Sequence, residues 1–172
     1  MSFSIRQLTS KDVDLYRPVR AEALSAHPEA FGQSPEEFAQ RGHQELAELL
    51  DRLDFFGAFD PDGSLVGLMA FDQGNRPRDR HRGWLLQVYV LPRMRGTGCA
   101  QALLEAVIAH AQSRVRQLHL SVASGNEPAL RLYQKAGFVL YGTDPAFQYV
   151  NGRYVDEHLM VRFFDKAPGE DQ

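Results

Sequence analysis

A chain of 172 residues with 44% hydrophobic side chains is long enough for one domain with a real core and short for two. Its net charge of -3 gives no global attraction for nucleic acid or an anionic membrane, and its single cysteine, Cys99, excludes an internal disulfide and a cysteine-based zinc cluster. No signal-peptide core and no run of about 18 apolar residues is present. These features predict a soluble, cytoplasmic, metal-free domain over residues 1–165, with a polar tail at 166–172, acting on a small molecule or peptide.

In chain order, "FSIRQL" reads as a short strand, and Val13, Tyr16, Val19, Ala23 and Leu24 then recur at helical spacing. Ser34, Pro35 and Glu37 open "SPEEFAQRGHQELAELLDRL" as N-cap, first helical residue and capping-box partner, predicting a second helix with Gly42 as a point of interruption. "FFGAFDPDGSLVGLMAFD" is two apolar runs around a Pro-Asp-Gly turn, hence a hairpin. The polar "GNRPRDRHRG" leads to "WLLQVYVL", whose nearly continuous apolarity predicts a strand covered on both faces. Ala100, Leu103, Leu104, Val107, Ile108 and Ala111 form one face of a helix. "VRQLHLSV" is a strand with Leu118, Leu120 and Val122 on one face. Asn126 caps a helix that Gly137 ends, and "FVLYGT" and "RYVDEHLMVRFF" close the chain as strands.

Between the strand and the helix, "LPRMRGTGCAQALL" exposes backbone at Gly96 and Gly98 beside the cation Arg95. A glycine-rich strand-to-helix turn leaves main-chain N–H groups at the positive end of a helix dipole, which suits a phosphate. A P-loop is excluded because Cys99 and Ala100 follow the last glycine, and a dinucleotide fingerprint because Gln101 holds its third small-residue position. Spacing alone does not separate a phosphate loop from a glycine turn that binds nothing.

The stretch resembles the acetyl-coenzyme A loop of the GCN5-related N-acetyltransferases (GNAT), with Arg95, Gly98 and Ala100 at its fixed positions. "GNEPALRLYQKAGF" is similar to a second motif of that family, an Asn, a helix with Tyr, and a closing Gly-Phe. The predicted element order also matches the family's fold over nearly the whole chain. The resemblance implies an α/β (α+β) fold: a mixed, mostly antiparallel sheet of six to seven strands flanked by about four helices.

It also implies an acyltransferase that uses acetyl-CoA as cosubstrate and passes the acetyl group directly to a primary amine. Arg95, Gly96, Thr97, Gly98, Cys99 and Ala100 would hold the pyrophosphate. The backbone at Val88, Tyr89 and Val90, after a bulge that the family places at Gln87 to Tyr89, would bond the pantetheine arm, and Asn126 is assigned to the cofactor as well. Cys99 is read as a small apolar filler, since direct transfer needs no thiol nucleophile.

Such chemistry needs a base and an acid, because at pH 7 a lysine-type amine is neutral in only about one molecule in a few thousand. Family position makes Tyr133 the acid, against the alternative of a packed helix tyrosine. Many relatives carry a carboxylate where this chain has Gln87, which takes no proton at neutral pH. Glu157 is the first substitute, as base or as a structural carboxylate, with His119 and His158 behind it and a water relay as the remaining route. Phe31, Glu36 and Glu37, between the first two helices, are candidates for the acceptor pocket, with Gln87. The alternative function is a GNAT-fold domain that binds acetyl-CoA without turnover, as sensor or structural subunit. A homodimer is a family habit with no signature here.

The arginines Arg76, Arg78, Arg80 and Arg82 are read as a solvated turn, since they enter the strand about 25 Å from the loop at its other end. Neither nucleic acid nor membrane is expected as a partner.

Overall fold

The computed structural model describes residues 2–165; the tail expected at 166–172 lies outside the described residues. The chain divides into two compact units, one running to Phe71 and including Leu86–Val107, the other holding Asp72–Leu85 and the chain from Ile108 onward.

In the first unit, β1 (Ser4–Gln7) pairs antiparallel with β2 (Asp54–Phe59), and β2 with β3 (Leu65–Gln73). Helix α1 (Val13–Ala26) turns Val13, Tyr16, Val19, Ala23 and Leu24 inward as its spacing predicts, and Arg20 lies buried on that same face. The fully buried Tyr16 ring packs edge-on against Phe38 at 6.1 Å and Phe55 at 5.4 Å.

The expected second helix is two, α2 (Pro35–Ala39) and α3 (His43–Arg52). Ser34 Oγ accepts from the Glu37 amide and Glu37 Oε2 from the Ser34 amide, closing the capping box, but Gly42, in extended conformation, caps a fresh start. Among the described residues five α-helices therefore stand where about four were expected. Between β2 and β3, Asp60 Oδ1 accepts from the amides of Asp62 and Ser64, which fixes the predicted turn.

Strand β4 (Arg82–Val90) is shared by the two units. It departs from the expectation of cover on both faces: Leu86 is 37% exposed, Gln87 and Val88 are only partly buried, and Gln87 has φ 51°. A non-glycine residue in the left-handed region interrupts the pleat, so apolar alternation is lost there. Helix α4 (Cys99–Gln112) follows, with Leu103, Leu104, Val107, Ile108 and Ala111 buried.

In the second unit, the start of β4 pairs parallel with β5 (Gln117–Ala123), Arg82 opposite Gln117 and Trp84 opposite His119. β5 pairs antiparallel with β7 (Arg153–Phe163), which pairs antiparallel with β6 (Val139–Val150). The strand order is thus β1-β2-β3-β4-β5-β7-β6. β6 runs seven residues beyond the predicted "FVLYGT". Its hairpin to β7 turns on Asn151 (φ 51°) and Gly152 (φ 80°), the conformation for which Asn-Gly is the favoured pair. Asn126 Oδ1 accepts from the Ala129 amide and so starts α5 (Glu127–Lys135), which ends before Gly137 at φ 90°. The arginine-rich connection leaves Arg76, Arg78 and Arg80 exposed, with Asp79 Oδ1 accepting from the Arg76 amide, as a solvated turn requires.

His119 is buried in this unit, its ring 6.1 Å from Trp84 and edge-on to Tyr141 at 5.6 Å, and within hydrogen-bond distance of Gln117 Oε1 (2.6 Å) and the Tyr141 hydroxyl (3.2 Å). Burial, with the Arg82 and His81 charges second, lowers its pKa from 6.5 to about 4. Between those values the unfolded chain binds a proton that the folded chain does not, so this residue's contribution to stability falls as pH drops from 6.5 towards 4. Chemical denaturation across that window should show a loss of about 1–3 kcal/mol that is reduced in His119→Gln. A variant as acid-labile as wild type would assign the effect to other groups.

Candidate functional site

The first unit contains the glycine loop. A 3-10 turn at Pro92–Met94 buries Met94, and Arg93 Nη2 meets Asp60 Oδ2 at 2.8 Å, tying the start of the loop to the β2–β3 turn. That guanidinium, first among several donors, holds the Asp60 carboxyl below the usual carboxylate range. Gly96 (φ 73°) and Gly98 (φ 85°) are both left-handed, and a Cβ built on either would meet nothing within 4 Å. The backbone there is open to an incoming group, in a conformation that L side chains adopt only with strain. Thr97 Oγ1 donates to Met94 O at 2.6 Å and accepts from the Cys99 amide at 3.4 Å, bracing the bend from inside.

The helical ladder begins with the Ala102 amide donating to Gly98 O. The N–H groups ahead of it, at Ala100 and Gln101, sit in the first turn of a 14-residue helix, where intrahelical acceptors are lacking. Arg95 is exposed, with Nη2 3.4 Å from His27 Nε2 at the end of α1. These donors and this charge fit an anion such as a pyrophosphate. Cys99 is 1% exposed, and burial pushes its thiol pKa up, which agrees with a packing role.

One strand-length earlier, the predicted irregularity falls at Gln87. The Tyr16 hydroxyl donates to Gln87 Oε1 at 2.7 Å, and burial raises the Tyr16 pKa, so the phenol is a proton donor to this amide. Tyr89 donates to Glu22 Oε1 at 2.9 Å, and burial followed by that carboxylate lifts its pKa to about 12. Helix α1 therefore lines the path from Gln87 through Tyr89 to Arg95 with Tyr16, Glu22 and His27 in turn. Of the suggested acceptor residues in this unit, Phe31 is partly buried against the core, Glu37 is engaged by the Ser34 cap, and Glu36 is exposed.

Arg20 was not anticipated. Its Nε and Nη1 are buried without a hydrogen-bond partner, and its guanidinium carbon lies 4.6 Å from the centroid of the Phe31 ring. The signal was present in the sequence, since Arg20 is four residues after Tyr16 on a face otherwise made of apolar residues and Tyr16.

In the second unit, Tyr133 is 4% exposed on α5, its ring edge-on to Phe138 at 5.9 Å, and burial raises its pKa well above the ordinary phenol value. Asn126 spends its Oδ1 on the helix cap. Glu157 on β7, opposite Ala123 of β5, is 5% exposed; Oε1 accepts from Gln148 Nε2 at 3.1 Å, while Oε2 is buried with no partner. His158 is instead within 2.9 Å of Thr143 Oγ1. His119, with a pKa near 4, is a weak base at neutral pH.

The sequence model described as "Acetyltransferase (GNAT) family" matches residues 18–138. The chain is 35% identical over 103 residues to the L-amino acid N-acetyltransferase AaaT of Escherichia coli (strain K12), a match covering 59% of this chain and 63% of that protein. It is 29% identical over 164 residues to the L-methionine sulfoximine/L-methionine sulfone acetyltransferase of Pseudomonas paraeruginosa, covering 93% of this chain and 94% of that one. Matches to mycothiol acetyltransferases span less than half of those proteins, 43% in Propionibacterium freudenreichii. Among solved structures, a GNAT-family acetyltransferase from Streptococcus pneumoniae superposes with a TM-score of 0.81 at 26% identity, over 94% of this chain and 99% of that one. A family match over most of the chain, on a seven-stranded mixed sheet with a glycine loop leading into α4, establishes that this protein belongs to the GNAT acetyltransferase family.

Proposed function

We propose that this protein is an acetyl-CoA-dependent N-acetyltransferase acting on a primary amine of a small molecule. The observation that carries the reading is the loop from Arg95 to Ala100, whose two left-handed glycines leave open backbone beside a helix N-terminus and a cation. A loop of this kind fits the pyrophosphate of acetyl-CoA, and the backbone of Val88, Tyr89 and Val90 after the irregularity at Gln87 suits the amide-bearing pantetheine arm. Two relatives named for acetylation of amino acids or their analogues support a small acceptor over a protein. The lone thiol, packed inside the fold, suits the reducing cytoplasm. Among the described residues no helix is long and apolar enough to cross a membrane.

In the reaction the amine nitrogen attacks the thioester carbonyl carbon; the C–N bond forms as the C–S bond breaks. One proton leaves the amine and one must reach the departing thiolate. Tyr133 is assigned the second task, since a phenol kept protonated by burial is a donor throughout the neutral range. Glu157 is assigned the first, because its Oε2 is a buried acceptor that nothing else uses. Gln87, its amide oxygen committed to Tyr16, positions the strand and takes no proton. A thiol-release assay with acetyl-CoA over a panel of amines tests the whole reading; release with no amine in the panel would leave the acetyl-CoA-binding sensor as the better account.

Three variants divide the roles. Gly98→Glu puts a side chain and a negative charge on open backbone at positive φ, so calorimetry should find acetyl-CoA binding abolished in a folded protein. Unchanged affinity would remove the loop from the phosphate site. Tyr133→Phe keeps the ring against Phe138, so stability should hardly change while single-turnover acetyl transfer slows by about ten- to a thousand-fold. Full transfer by that variant would make Tyr133 a core residue only. Glu157→Gln should depress turnover most at low pH and leave acetyl-CoA affinity intact; a ratio to wild type that is flat with pH would favour deprotonation by water.

A further inference from the structure

The geometry points to Arg20 as the residue that binds the carboxylate of the acceptor, making this an acetyltransferase for amines that carry a neighbouring carboxylate, amino acids above all; the inference rests on the acetyl-transfer reading above.

Arg20 is 4% exposed, with Nε and Nη1 both buried and unpartnered. Among the described residues no carboxylate is paired with it. Burial dominates its surroundings and pulls the guanidinium pKa down from its usual value, while the Tyr16 phenol, kept protonated by its own burial, carries no charge and Arg41 is a second cation. A buried cation with unsatisfied donors is among the costliest arrangements in a protein core, and a purely structural role would be filled better by methionine or leucine at the same place on α1. The arrangement becomes favourable when an anion arrives. A guanidinium matches a carboxylate in shape and charge, and the bond between them strengthens where water is excluded.

The location selects the ligand. Arg20 follows Tyr16 by one helical turn on the buried face, and the Tyr16 hydroxyl reaches Gln87, at the irregularity after which the acyl-carrying arm is proposed to lie. The loop proposed for the pyrophosphate meets α1 at His27 instead, seven residues or roughly 10 Å farther along the helix. Arg20 is therefore placed for a group joined to the reacting amine, and the cofactor's phosphates have their own cation in Arg95. Over the guanidinium lies the ring of Phe31, in the connection between α1 and α2, a partly exposed cover that stacks on the cation and offers it no hydrogen bond. A shift of that ring opens the donors to a carboxylate.

The test compares each of the common L-amino acids with its amide as acceptor, in wild type, Arg20→Met and Arg20→Lys. Wild type should prefer the acid over the amide by about 100-fold in kcat/KM for its best side chain. Arg20→Met should remove that preference, lowering kcat/KM for the acid by about 100-fold while amide rates and acetyl-CoA affinity stay within about threefold, and Arg20→Lys should restore part of it. Because Arg20→Met replaces a buried unpaired charge with an apolar chain, its melting temperature should hold or rise, which separates lost recognition from lost folding. Equal use of acids and amides by wild type, or an unchanged preference in Arg20→Met, overturns the assignment. A direct binding arm removes dependence on turnover: N-acetylated amino acids titrated into the protein with coenzyme A should bind wild type and not Arg20→Met. Retained binding in the variant overturns the assignment even if no amine is acetylated, whereas binding lost only in the variant upholds it while the failed turnover counts against the catalytic reading alone.

Discussion

The left-handed backbone of Gln87 is the constraint on which the first unit's site geometry depends. A residue with a Cβ at φ 51° costs about 1–2 kcal/mol relative to extended backbone, and nothing in the apolar run around it supplies that energy locally. Compensation comes from α1. Tyr16 is fully buried between Phe38 and Phe55, so its ring has no freedom, and its hydroxyl must find an acceptor within that core. Gln87 Oε1 at 2.7 Å is that acceptor. The bond satisfies the buried phenol and ties the side chain of the left-handed residue to α1.

That bond has a chemical consequence. An amide oxygen held by a phenol is an acceptor in use, so position 87 positions the strand and contributes no proton transfer, and a base must be sought elsewhere. Loop geometry obeys the same logic of distributed anchoring. A Cβ at Gly96 or Gly98 would meet nothing within 4 Å, and the two bends are bounded by a buried Met94, by Arg93 on Asp60, and by Thr97 bonded on both sides. Rigid flanks around open glycines present donors already oriented, which lowers the entropy lost when an anion is captured.

Local rules carried much of this architecture in the sequence. Ser34 with Glu37, the Asp60 turn, the inward face of α4 and the Asn126 cap all follow from side chains acting on backbone within a few residues, and each stands in the structure where spacing put it. The Asn151-Gly152 turn is a local signal of the same kind, and it is what carries β6 beyond "FVLYGT" to Val150. The left-handed Gln87 was illegible from residues alone, because glutamine has no preference for that region and the cause, Tyr16, lies 71 residues away. Exposure of Leu86 belongs to the same effect, since an apolar run reads as covered wherever the pleat is taken to continue. The unpaired Oε2 of Glu157 depends on which atom Gln148 reaches, and no spacing rule holds that information.

Arg20 stands between these cases. Its position on the inward face was readable from Tyr16 and Ala23, whereas its lack of a partner required coordinates. A helix whose buried stripe contains one arginine violates the agreement between local pattern and global packing that folding favours, and violations of that kind concentrate where function demands them. Two explanations compete for a buried guanidinium: an ion pair inside the fold, or a ligand outside it. Its unpartnered Nε and Nη1 decide, because the phenol of Tyr16 is already committed to Gln87 and Arg41 repels, so that among the described residues no counter-charge meets it. Burial without compensation then means that the unliganded state carries a destabilising element, which becomes favourable when a ligand's negative charge completes it. The same feature that weakens the core in isolation thereby converts the charge of an acceptor into binding energy, and it does so one helical turn from the residue that holds the strand in its strained form.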